Sequence, residues 1–107
     1  MTEKPFVAHW EVLLRNLHPQ VRTRPMFGEY GGYLGEKFAV ILADNRCFLK
    51  VKGVPEDVIA ALFDNRDEPY PGAKNYSAIS EEQISNPEWC EKVREALVSA
   101  KVLPSLG

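Results

Sequence analysis

A two-layer α+β domain, with helices on one face of an antiparallel sheet, is the fold class this sequence predicts. Strand-like runs separated by tight-turn signals fill residues 21–51, the pattern of an antiparallel meander. Apolar residues before and after that block recur at helical spacing instead. No repeat, low-complexity tract or linker divides the 107 residues, so the chain reads as one domain spanning 1–107.

Phe6, Trp10, Leu13, Leu14 and Leu17 form the apolar stripe of a first helix. Pro5 suits its first turn, and His18-Pro19 closes it. A strand is expected from about Val21 to Leu34, interrupted by Gly28, Gly31 and Gly32, which permit a bulge. Met26, Phe27, Tyr30 and Tyr33 then pack on the sheet or cover it. Gly35-Glu36 connects to a second strand, Lys37 to Ala43, and Asp44-Asn45 offers the left-handed conformations of a hairpin turn. The third strand, Arg46 to Val51, points Cys47, Leu49 and Val51 to one side.

Glu56 and Asp57 favour the positive end of a second helix, whose buried side is Val58, Ile59, Leu62 and Phe63. Asn65 to Ala73 is dense in turn formers and reads as a loop. Lys74 to Ile79 is a short strand, expected to pair near Tyr70. Ser80 with Gln83 fits a capping box, and Asn86-Pro87 starts a last helix bearing Trp89, Val93, Ala96, Leu97 and Ala100.

Composition narrows the function classes. With 45% hydrophobic and 26% charged residues, the chain has enough apolar surface to fold. Its longest apolar run, Phe38 to Ala43, falls far short of the ~20 residues that span a bilayer. The start, Met1-Thr2-Glu3-Lys4, has no basic and apolar stretch of the secretory kind. With only two cysteines, the expected compartment is a reducing cytoplasm, away from membranes.

No catalytic constellation emerges. Cys47 and Cys90 lack close-spaced metal-ligating neighbours and read as buried thiols. His9 and His18 both lie on the first helix, His9 at the edge of its stripe and His18 complementing the helix dipole at its end. The acid pairs Asp67-Glu68 and Glu81-Glu82 read as solvated. The glycine-rich segment lies between strands with no following Lys-Ser/Thr, unlike a phosphate loop. The expectation is a non-enzyme with no cofactor and no metal.

Arg24-Pro25-Met26-Phe27-Gly28 with Tyr30-Gly31, then Phe38-Ala39, then Phe48-Leu49-Lys50, resembles the N-terminal domain of the TfoX/Sxy competence regulators. Asn75-Tyr76, Glu81-Glu82 and Pro87 leading into Trp89 extend the resemblance over nearly the whole chain. It implies a secretion-chaperone-like fold in the order α-β-β-β-α-β-β-α. It also implies a small accessory domain without an assigned catalytic residue, here a stand-alone version lacking the regulators' second, helical domain. The sequence departs from the family pattern in its short, proline-rich Glu68 to Lys74 and in Ser80.

Charge is uneven along the chain. Residues 15–52 hold seven basic side chains against three acids, while residues 53–107 hold five against ten. Arg22 and Arg24 alternate on one strand, as do Lys50 and Lys52, with Tyr30 or Phe48 interleaved. Arg22, Arg24, Phe27, Tyr30, Lys50 and Lys52 are the candidate binding residues. Two readings stay open: a regulatory module that binds a protein, including a second copy as a homodimer, and an accessory module that binds nucleic acid.

Overall fold

The computed structural model describes residues 2–64 and 66–105. Among them a five-stranded antiparallel sheet runs in the spatial order β1-β2-β3-β4-β5, which is also the chain order. Helix α1 (Lys4–Leu14) precedes β1 (Val21–Met26), β2 (Glu29–Leu34), β3 (Lys37–Ala43) and β4 (Arg46–Lys50). Helix α2 (Glu56–Leu62), β5 (Tyr76–Ile79), α3 (Glu81–Ile84) and α4 (Pro87–Ser99) complete the chain. The expected α+β class and its meander are both present.

The strand pattern differs from the sequence reading: four strands precede α2 and one follows it, where the order α-β-β-β-α-β-β-α was expected. The single strand expected over Val21 to Leu34 folds back on itself, with a two-residue turn at Phe27-Gly28 between β1 and β2. Phe27 and Gly28 hold φ of 50° and 80°, the left-handed values a tight hairpin turn requires. The strand ending at Ile79 pairs with β4, Cys47 facing Ile79, and not with residues near Tyr70. Residues 66–75 contribute no strand, because Pro69 and Pro71 lack the N–H a ladder needs. Asn65, placed in the expected loop, lies outside the described residues.

Strand alternation gives the sheet two unlike sides. Leu34, Val40, Leu42, Cys47, Leu49 and Ile79 face the helices and form the main core with Val7, Trp10, Leu14, Ile59, Val93 and Leu97. Ile41, Ala43, Phe48, Tyr76 and Ala78 face the other way, into a smaller cluster with Ala73. The helix starts follow the expected capping. Ser80 and Gln83 exchange both capping-box bonds, and the Asn86 side chain accepts from the N–H groups of Glu88 and Trp89. The Trp89 indole donates to the Leu62 carbonyl at 2.7 Å, tying α4 to the end of α2. No helix among the described residues is long and apolar enough to cross a membrane.

Candidate functional site

The side of the sheet away from the helices gathers most of the candidate residues. Cross-strand pairs share a face, so the pairs Arg22–Tyr33, Arg24–Gly31 and Met26–Glu29 put both arginines and Met26 on this side. Gly32 faces Val40 and Tyr33 faces Phe38, so Ala39 is an extra residue and the register shifts there. That bulge sets Tyr33 against Phe38, their ring centroids 5.4 Å apart in an edge-to-face contact.

Cations lie over these rings. The guanidinium carbons of Arg22 and Arg24 sit 4.8 and 6.0 Å from the Tyr33 centroid. The Lys50 ammonium lies 5.9 Å from the Phe38 centroid, and Arg46 lies 5.0 Å above Phe48. The result is a band of positive charge and aromatic carbon running across β1, β2, β3 and β4. Arg46 also pairs with Asp67 at 2.8 Å. Arg22, Arg24 and Lys50 make no ion pair among the described residues.

Next to the band, toward the β1–β2 turn, lies an apolar groove of about 420 Å³, lined by Met26, Phe27, Tyr30, Phe38, Ile41 and Tyr70 among others. Phe27 is 100% exposed at the tip of the hairpin. Tyr70 is also largely exposed. Tyr76, behind this surface, has its phenol pushed up in pKa by burial, with Tyr70 adding to the effect.

The remaining candidates divide. Tyr30 pairs with Pro25 and Leu42, which places it on the helix side, where it packs against the main core while still lining the groove. Lys52 lies in the turn after β4 ends at Lys50, so strand alternation does not carry it onto the band. Phe48 is on the expected face but only 2% exposed, shielded beneath Arg46. Tyr33 and Phe38, the rings at the centre of the band, are not among the sequence candidates. Alternation along the chain does not reveal them: Tyr33 joins Arg22 through the β1–β2 register, and Phe38 joins Tyr33 only through the bulge at Ala39.

The thiols and imidazoles lie elsewhere. Cys47 is buried among apolar residues, and burial pushes its pKa far up. Burial also raises Cys90, with Arg94 opposing, and its thiol donates to the Ile84 carbonyl. His18 stands beyond the end of α1 and not within it. Its buried ring accepts from the Gln20 N–H at Nδ1, so it braces the chain reversal and does not complement the helix end. His9 is exposed, with Nε2 2.7 Å from Glu81 Oε1. Among the described residues, no three His, Cys, Asp or Glu side chains group as a metal would require.

A family model for the TfoX N-terminal domain matches residues 13–100. That span includes every strand and the whole of the cation–aromatic band. A relative from Spirochaeta aurantia, described as "Uncharacterized 12.7 kDa protein in trpE 5'region", is 38% identical over 88 residues, covering 80% of this chain and 70% of its own. With the sheet order and the Arg24-to-Gly28 hairpin both in place, the chain belongs to the TfoX N-terminal domain family.

Proposed function

We propose that this chain is a cytoplasmic protein-recognition module with no reactive centre, working through the side of the sheet that its helices leave uncovered. Phe27 carries the reading. A bulky residue with φ of 50° is strained by about 1–3 kcal/mol. Its side chain, fully exposed, contributes no packing to offset that strain. An aromatic residue kept at such a position, next to an apolar groove, suits a contact made outside the fold.

Three further features support it. Arg22, Arg24 and Lys50 make no ion pair with an acid among the described residues. Both cysteines are free, buried and shifted away from the reactive thiolate. Free buried thiols also suit a reducing compartment. Nucleic acid is the second reading, favoured by the same three cations. Against it, Tyr33 and Phe38 meet edge to face under cations, and present no open stack for bases.

Affinity capture from native lysate, with and without nuclease, separates the two. A protein retained by the wild type and lost by Phe27→Ala, at unchanged melting temperature, is the expected outcome. Capture that vanishes with nuclease, or a protein set indifferent to Phe27→Ala, contradicts the reading. Light scattering alongside shows whether the captured partner is a second copy.

A further inference from the structure

We infer that the outer edge of β1 docks an extended acidic segment of a partner protein, which joins the sheet as an added strand and sets carboxylates at alternate positions against Arg22 and Arg24. The inference rests on the recognition reading above and names its partner's chemistry.

The sheet has two edges, and they differ. All four residues of β5 are buried, whereas β1 contains no buried residue. The phase of the β1–β2 ladder shows which backbone groups the free edge presents. A two-residue turn makes Met26 and Glu29 the closing hydrogen-bonded pair. Alternation then makes Arg24–Gly31 and Arg22–Tyr33 hydrogen-bonded as well. The Gly35 N–H donating to the Gln20 carbonyl at 2.8 Å continues the same phase.

It follows that the N–H and C=O of Val21 and Thr23, and the C=O of Pro25, point away from the sheet. No described residue bonds to them. Pro25 fits this arrangement, since its missing N–H falls on the outer side and interrupts no ladder bond. Thr23 is anchored beneath by its hydroxyl, which donates to Glu11 on α1, so the strand is held while its edge stays open.

Side chains on an added strand that face Arg22 and Arg24 directly share their side of the sheet, with Cβ atoms roughly 5 Å away. Opposite charge is favourable there and like charge is not. This disfavours β1 of a second copy as the occupant. An antiparallel pairing of β1 with β1 of a copy, kept in phase through Val21, Thr23 and Pro25, sets Arg22 against Arg22, Arg22 against Arg24, or Arg24 against Arg24 in its three best-overlapping registers. An extended segment with acids two residues apart answers both charges at once, in the manner of strand addition.

The test uses the full chain, isotopically labelled, with a ten-residue peptide of alternating threonine and glutamate and a second of alternating threonine and lysine. The glutamate peptide is expected to shift residues 21–26 and protect the Val21 and Thr23 amides from exchange. Arg22→Glu with Arg24→Glu, both on exposed side chains, is expected to weaken it about tenfold and turn preference to the lysine peptide. Arg22→Gln with Arg24→Gln, which adds no new charge, should fall between. Absence of glutamate-peptide binding overturns the inference, as does binding unmoved by charge reversal, the result if the arginines only blunt the edge against aggregation. Shifts confined to Phe38, Ile41 and Tyr70 also overturn it, yet leave the recognition reading standing. A single-stranded oligonucleotide that binds this edge where the peptide does not overturns both.

Discussion

Arg22 holds its guanidinium 4.8 Å from the centre of the Tyr33 ring, on the side of the sheet opposite the helices. Tyr33 in turn sets its ring edge-to-face with Phe38. Tyr33→Leu keeps a branched apolar side chain on the strand but removes both interactions. The expected cost is about 1–2 kcal/mol in urea unfolding. A change below a few tenths would show that the cations rest over the rings without stabilising the fold.

Phe27 opposes local stability. Asparagine tolerates the left-handed conformation far better, and Asn-Gly is the favoured pair in this turn. Phe27→Asn should therefore stabilise the chain by about 0.5–1 kcal/mol while abolishing partner capture. Loss of stability instead would mean that the ring packs against the fold in solution.

Gly31 and Gly32 should differ when changed to alanine. A Cβ at Gly32 would lie 2.9 Å from the Cβ of Val40, a branch point fixed to a buried strand. A Cβ at Gly31 would lie 2.5 Å from the edge of the Phe38 ring and 3.1 Å from the end of Met26, both of which can turn aside. Gly32→Ala is expected to cost about 1–3 kcal/mol, the larger loss of the two. Gly31→Ala should chiefly displace Phe38, visible in its ring signals. Thermal melts that reverse the order would contradict this packing.

Glu29 ties down the start of the chain. Hydrogen bonds from Thr2, including its N–H to Oε1 at 2.9 Å, hold the Glu29 carboxyl below its ordinary 4.5, with partial burial opposing. A carboxyl with a lowered folded pKa contributes its stability in full above the unfolded value and loses it as pH falls through the folded one. The Thr2 amide signal should titrate with a midpoint below 4.5. Glu29→Gln should remove that step. A midpoint at or above 4.5 would contradict the assignment.

Much of the fold was legible in the sequence, because hydrophobic period and capping residues act locally. The Ser80–Gln83 capping box and the Asn86 cap stand where the residues indicate, and Trp10 and Leu14 of the α1 stripe are buried, although that helix ends before Leu17. Asp44-Asn45 turns with positive φ at both positions, as their side chains allow. Phe27-Gly28 escaped notice because phenylalanine is a poor residue for that turn. Only the pairing of β1 with β2 holds it there. Arg22 and Arg24 could be aligned from alternation alone. Tyr33 needs the β1–β2 register and Phe38 the shift at Gly32, while nothing in the neighbours of Lys52 marks β4 as ending at Lys50. Local residues specify an element, but bulges and strand ends are settled between strands.

The most direct measurement is chemical-shift mapping of the labelled chain against whichever protein is captured from lysate. The account predicts perturbations on β1, the Phe27 turn, Tyr33, Phe38 and Lys50, with α3 and α4 unmoved. Perturbations centred on the exposed face of α4, or around Cys90, with the uncovered side of the sheet silent, would contradict it.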